Sequence, residues 1–276
     1  MKVTFWGTRG SIATPGAETT RYGGDTSCVS VEGRDPAHLL VLDAGSGIRR
    51  LGLVLEPAVT RIDLMLTHLH LDHIVGLGFF APLFRPGLTI TIWGPPATTP
   101  LVDRLGRYLS PPLFPVRLRD LPSRYELREA PAGPFAVGPF TINAEAVIHP
   151  DPAVGYRVAE DGQSLAYLPD HEPAMGPDFP SDPAWTSRAG VAEGADLLIH
   201  DAQYTADEYA ERVGWGHSSV DDAVAFADLV GARRLALFHH DPSRSDLEVD
   251  ALLDHAKVAR RGGDVVAARE GSPISI

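Results

Sequence analysis

Residues 67 to 73 read Thr67-His68-Leu69-His70-Leu71-Asp72-His73, which places three imidazoles and a carboxylate within six positions. Neutral imidazole is the commonest borderline-soft ligand for zinc, and a carboxylate adds an oxygen donor, so the segment is a dense set of metal ligands. A polar turn with incidental histidines is the bland alternative, and the density of the pattern argues against it. The turn follows Ile62-Asp63-Leu64-Met65-Leu66, an apolar run of strand length. His68 and His70 can share one ion, while Asp72 and His73 lie in the next turn and can serve a second.

The elements that would position further ligands recur along the chain. Val3 to Trp6 reads as a strand, followed by the glycine-rich turns Gly7-Thr8-Arg9-Gly10-Ser11 and Gly23-Gly24-Asp25. Ser27 to Val31 and His38 to Leu42 suggest a hairpin around Gly33-Arg34-Asp35-Pro36, with Asp43 at its end. Asp43 either caps a helix starting near Ile48 or hydrogen-bonds a metal-bound histidine. Ile74 to Phe80 reads as a short helix, Leu88 to Trp93 as a strand and Pro100 to Leu109 as a helix. The proline-rich stretch from 95 to 135 is either a wall of the substrate pocket or ordinary connecting structure. Phe140 to Ile148 alternates as a strand ending in His149, and Gly155–Ala159 with Ser164–Leu168 reads as a hairpin around Asp161-Gly162 ending in Asp170-His171. Ala195 to Ile199 runs into His200-Asp201. Gly216-His217-Ser218-Ser219 precedes a helix capped by serine, with Asp221 and Asp222 in its first turn. Arg234 to Phe238 ends in His239-His240.

In a layered α/β protein, strand ends gather at one edge, so His68, His70, His149, Asp170 and His239 can converge although far apart in sequence. The 276 residues show no repeat and no linker, and are read as one domain spanning 1–276. No apolar stretch is long enough for a membrane span and no signal segment is evident, which points to a cytoplasmic protein. Cys28 is the single cysteine, so an intrachain disulfide and cysteine-rich zinc modules are excluded. A formal net charge of −12, with scattered basic pairs, gives no general attraction to polyanions; a large nucleic acid is disfavoured as a partner, a small phosphate ester is not.

The His-x-His-x-Asp-His motif at His68, His70, Asp72 and His73, followed in order by His149, Asp170 and His239, resembles the metallo-β-lactamase superfamily. The resemblance implies a four-layer αββα sandwich. It implies two divalent ions, with His68, His70 and His149 on one, Asp72, His73 and His239 on the other, and Asp170 bridging them. Zinc is the default metal, and manganese or iron fits the same mixed ligands. Two such ions, two carboxylates and a bridging hydroxide leave about one net positive charge, suited to an anionic ester. Iron-based redox members typically carry Glu where His70 stands, so the histidine argues for hydrolysis.

A closer likeness is to the ribonuclease Z and phosphodiesterase branch, because Gly216-His217-Ser218 stands ahead of His239 at that branch's spacing. The corresponding histidine there donates a proton to the phosphodiester or stabilises it; taken alone, His217 would read as a cap-region residue. Ribonuclease Z inserts its tRNA-gripping arm between the third histidine and the bridging aspartate. Here only residues 150 to 169 lie between them, which leaves no room for the arm. The opening motifs look like a bacterial group of stand-alone hydrolases in which Asn is usual where Asp25 stands, which puts a role for Asp25 toward substrate in question. Relatives are commonly dimers, so a homodimer is a possible state.

Five histidines remain. His38 and His255 are expected at the surface. Of His171 and His240, neighbours of ligands, at least one should face away from the site. His200-Asp201 either supplies hydrogen bonds to metal histidines or packs structurally. The leading function is hydrolysis of a small or nucleotide phosphodiester, with Asp72 and His217 as catalytic residues. Carboxylic-ester, thioester or lactone hydrolysis is the second reading, and a non-catalytic ligand sensor the third.

Overall fold

The computed structural model of the chain describes residues 1–174 and 186–276. One sheet contains β1 (Lys2–Gly7), β2 (Cys28–Glu32), β3 (His38–Leu42), β4 (Arg61–Met65), β5 (Thr89–Gly94) and β6 (Arg124–Glu129). The other contains β7 (Phe135–Val137), β8 (Phe140–Ala146), β9 (Val154–Glu160), β10 (Gln163–Leu168), β11 (Leu197–Asp201), β12 (Arg234–Phe238) and β13 (Asp264–Ala267), and β14 (Pro273–Ser275) returns to the first. Their orders are β14-β1-β2-β3-β4-β5-β6 and β13-β12-β11-β10-β9-β8-β7. Each sheet is half antiparallel and half parallel: β3 to β6 run parallel in the first, β10 to β13 in the second. The central parallel strands β3 and β11 are buried along their whole length, as strands covered on both faces must be.

Among the described residues seven α-helices flank the sheets: α1 (Ile48–Leu53), α2 (Leu71–Ile74), α3 (Leu101–Tyr108), α4 (Ala189–Ala192), α5 (Ala206–Ala210), α6 (Val220–Leu229) and α7 (Asp246–Ala259). Alternation along the strands divides the apolar residues among three interfaces. Phe5, Leu40 and Trp93 meet Phe140, Tyr156, Tyr167 and Phe238 between the sheets. Ile48, Leu51, Leu101 and Leu105 pack on Val41, Ile62, Leu64 and Ile92 outside the first sheet. Val220, Ala223, Phe226, Ala227 and Ala256 cover Ala166, Leu198, Leu235 and Leu237 outside the second. The result is the αββα sandwich expected from the sequence.

Local details follow the sequence where its signals are strong. Both expected hairpins form, β2–β3 and β9–β10, and Ser219 caps α6 by accepting from Asp222 N at 3.0 Å. Two expectations are corrected. The helix read over Ile74 to Phe80 is instead α2, starting directly after His70, and a separate 3₁₀ turn at Leu77–Phe79. Gly76 breaks the run because its N–H bonds Ala44 O and a Cβ there would stand 2.1 Å from Gly45 O. His38 is not at the surface; it is 3% exposed, because the strand period that turns Leu40 and Leu42 inward turns His38 inward as well. There it bonds Asp63 and packs beside Phe140. His255 does lie at the surface, against Asp221.

The proline-rich stretch is partly core. Phe114 packs edge-on against Phe79, and the Tyr108 hydroxyl donates to Val75 O at 2.6 Å, so this segment leans on the turn that follows α2.

Candidate metal centre

Parallel strands deliver their carboxyl ends to one edge of each sheet, and those edges meet over a group of histidines and aspartates. β3 leads into Asp43, β4 into His68, β10 into Asp170, β11 ends at Asp201, and β12 leads into His239. His149 follows β8, and Asp72 and His73 lie in α2, whose first turn folds back over the β4 end. All seven residues expected as ligands come together here, in two sets. Ligand atoms of His68, His70, His149 and Asp170 lie within 4.8 Å of one another, as do those of Asp72, His73 and His239.

The Asp170 carboxylate stands between the sets, and its oxygens divide between them. Oδ2 is 3.5 Å from His68 Nε2 and 3.9 Å from His149 Nε2, while Oδ1 is 3.0 Å from His73 Nε2 and 3.3 Å from His239 Nε2. Asp72 Oδ2 is 3.2 Å from His239 Nε2 and is steadied by the backbone N–H of Ser11.

Each inward nitrogen is aimed by a bond on the opposite side of its ring. Asp43 organises the first-sheet half: it accepts from Thr67 N, the Thr67 and Tyr167 hydroxyls and His73 Nδ1, and Thr67 Oγ1 in turn meets His68 Nδ1. Asp43 therefore does not cap α1, whose N-cap is Gly47. Asp151 ties the outer pair, its carboxylate to His70 Nε2 and its carbonyl to His149 Nδ1. His239 Nδ1 donates to Gln203 Oε1 at 3.0 Å. Its backbone sits at φ 58°, and its ring lies so close to Gly10 that a Cβ there would come within 2.3 Å.

These residues suit divalent cations. His68 Nε2, His149 Nε2 and Asp170 Oδ1 are buried without a hydrogen bond, and buried polar atoms are rarely left so. Burial pushes the His68 and His149 imidazoles toward their neutral, ligating form. Burial alone would raise the Asp170 and Asp72 carboxyls, but the surrounding imidazoles outweigh it and keep both well below the ordinary range. Burial also opposes charge on His73, yet Asp170, Asp72 and Asp43 draw its pKa well upward. That position calls for positive charge, which a metal ion supplies.

His217 stands beside the ligand sets. Its ring stacks on His239, with centroids 5.0 Å apart, and its Nδ1 donates to Asp201 Oδ2 at 2.7 Å. Burial depresses its pKa, but the Asp201 charge and hydrogen bond win and lift it to about 9. Asp201 is fixed by Gln203 N and Ser218 N, so this residue, rather than His200, carries the supporting role. His200 pairs with His171, whose other nitrogen meets Ser187 O; His240 meets Ala268 O. His239, not His240, faces the cluster. Asp25 accepts from the Ser46 hydroxyl within the fold and lies near Arg50.

Sequence reasoning missed Gln203, Asp151 and Glu172. Gln203 is two residues beyond the Asp201 strand end, a position that could have drawn notice. Glu172 gave no local signal. It is fully buried and accepts from Tyr209 OH, Gly214 N and Gly216 N, thereby anchoring the loop that carries His217.

Comparison with known proteins places this arrangement in context. A model of the beta-lactamase superfamily domain matches residues 38–240. The ribonuclease Z of Myxococcus xanthus (strain DK1622) is 28% identical over 274 residues, covering 83% of this chain and 86% of that protein. The crystal structure of the metallo-beta-lactamase fold protein YhfI from Bacillus subtilis is similar with a TM-score of 0.72 at 24% identity, over 99% of both chains. The short form of human tRNase Z gives 0.66 at 22% identity, over 100% of this chain and 99% of that one. At these identities the two structures speak to the fold alone. Among the described residues no helix is long and apolar enough to cross a membrane.

Proposed function

Because the chain belongs to the β-lactamase superfamily, with curated relatives named ribonuclease Z, we propose that it is a dinuclear metal-dependent phosphodiesterase acting on a small or nucleotide phosphodiester. The observation that carries this reading is the division of the Asp170 oxygens between two sets of candidate ligands, with His217 beside both and also within reach of Asp170, Asp201 and His239. His68, His70 and His149 would hold one ion, Asp72, His73 and His239 the other, and Asp170 both. Zinc is the first choice; manganese or iron fits the same donors. When bound, two such ions would polarise the phosphoryl group and lower the pKa of a water.

The chain's own residues do the rest. Asp201 accepts the Nδ1 proton of His217, which fixes the ring and leaves Nε2 as the atom that faces substrate. The Asp201 charge and hydrogen bond favour the protonated ring, from which a proton can pass to the departing oxygen. Asp72 would hold its ion and, through Ser11 N, ties α2 to the opening glycine-rich loop.

The relatives' name sets a nucleic-acid substrate against the expectation of a small one. The span where an arm would be inserted is occupied by the β9–β10 hairpin, built into the second sheet, and the net charge of −12 disfavours a long polyanion. Both support the smaller diester.

The test is metal analysis followed by assay against bis-aryl phosphate, cyclic nucleotide diesters, lactones and thioesters. The expected result is two equivalents of metal and diester turnover, with His217→Ala lowering kcat about 10²- to 10⁴-fold while metal is retained. Turnover unaffected in that variant removes the role given to His217; a preference for lactones or thioesters, or full metal loading without any turnover, overturns the phosphodiesterase reading.

A further inference from the structure

Trp215 is 59% exposed, whereas most aromatic side chains among the described residues are buried. It belongs to the loop between α5 and His217, and the loop is anchored firmly. Gly214 and Gly216, at φ 87° and 88°, both donate their N–H groups to the buried carboxylate of Glu172, and Trp215 N donates to Arg212 O. The exposed indole is therefore carried on a backbone that these bonds hold in place. Its neighbour Gly216 packs so tightly on the His149 ring that a Cβ would stand 2.5 Å from Cδ2. Trp215 thus precedes by one residue the glycine that meets a candidate ligand, and by two residues His217.

The same turn carries a cation. The Arg212 guanidinium lies 5.1 Å from the Tyr204 ring centroid, and Tyr204 stands edge-on to His217 at 5.9 Å. Arg212 forms no ion pair among the described residues; its Nη1 bonds only the carbonyl of Glu208. In a chain of net charge −12, a guanidinium without a carboxylate partner beside the centre is open to an anionic ligand. A large flat ring and a guanidinium with no ion pair among the described residues, on one hydrogen-bonded turn, match the two faces of a nucleotide, whose base stacks and whose phosphate carries charge.

We infer that the Arg212–Trp215 turn is the substrate-recognition element of this site, with Trp215 the stacking platform for a nucleobase flanking the scissile phosphodiester and Arg212 its countercharge. The inference rests on the phosphodiesterase reading and narrows the substrate to nucleotide diesters.

The metal-loaded full chain is assayed on thymidine 5′-(p-nitrophenyl) phosphate and on methyl p-nitrophenyl phosphate, which share a leaving group and differ in the nucleoside. In Trp215→Ala the ratio of kcat/KM for the two falls about 5- to 150-fold, the range for losing one base–aromatic stack, and the fall lies in KM. Trp215→Phe recovers most of the ratio. An unchanged ratio in Trp215→Ala, or equal loss on both substrates, overturns the platform. If neither diester is turned over, the phosphodiesterase reading has failed, and binding decides the platform separately. Thymidine 5′-monophosphate then quenches indole emission saturably in the wild type and not in Trp215→Phe; identical quenching in the two overturns it.

Discussion

Gln203→Leu removes the acceptor behind His239, along with the longer bonds from Gln203 Nε2 to Ser11 Oγ and Asp241 Oδ2 at 3.4 and 3.5 Å. Gln203 is 3% exposed, and its Oε1 is the acceptor for His239 Nδ1, so it fixes the tautomer that presents Nε2 to the cluster. Among the described residues no other hydrogen-bond acceptor meets Nδ1. The nearest carboxylate oxygen, Asp201 Oδ2, is 3.9 Å from Nδ1 and is engaged by His217. Leucine keeps the volume and removes the acceptor, leaving His239 free to carry its proton on either nitrogen. Loss of such a supporting partner typically weakens metal binding about 10- to 100-fold, or about 1.4–2.7 kcal/mol, similar to the worth of one hydrogen bond to a charged group. The effect should fall on the ion held by Asp72, His73 and His239 alone, because His68, His70 and His149 are aimed by Thr67 and Asp151. Competition with a chromogenic chelator resolves the two binding steps: one weakens in Gln203→Leu and the other stays, while Gln203→Glu, which retains an acceptor, binds at least as tightly as wild type. Equal weakening of both steps, or neither, refutes the reasoning.

Two further outcomes follow from groups away from the centre. Burial would raise the Asp63 carboxyl, but hydrogen bonds from His38, Arg61 and Trp93 outweigh it and hold its pKa at about 2. A depressed folded pKa contributes stability that is full above the unfolded value near 4 and is lost as pH falls through about 2. The contribution is about 2 kcal/mol, about half of it gone by pH 3, and between pH 4 and 2 the urea midpoint of metal-free wild type should fall more steeply than that of Asp63→Asn. Cys28 is fully buried and its thiol is pushed well upward by burial; a thiol reagent should label no cysteine in the native protein and one per chain in denaturant, and rapid native labelling would contradict the packing.

The parts of the fold that were legible in advance are those written in local pattern. Apolar and β-branched runs marked β2, β3, β9, β10 and β12, alternation marked β8, and turn residues marked the β2–β3 and β9–β10 hairpins. β6, with the sequence Arg-Tyr-Glu-Leu-Arg-Glu, lies at a sheet edge and reads as polar surface, and β13 and β14 are only four and three residues long. α7 has capping-box residues Ser245 and Glu248 that could have announced it.

For the site, the division has a physical basis. The sequence by itself determined which side chains could bind metal, because ligand chemistry belongs to residue type and because His-x-His-x-Asp-His concentrates it in one turn. It also determined that the remaining candidates stand at strand ends. Tertiary structure alone decided which of two adjacent histidines turns inward: His239 faces the cluster from a left-handed backbone position against Gly10, while His240 points to Ala268. It alone turned Asp43 from a candidate cap into the acceptor behind two histidines. It brought Gln203 to His239 and Glu172 to the His217 loop. Those partners lie tens of residues apart in the chain, and a hydrogen bond between them leaves no mark on either local sequence; it exists only once both sheets have packed.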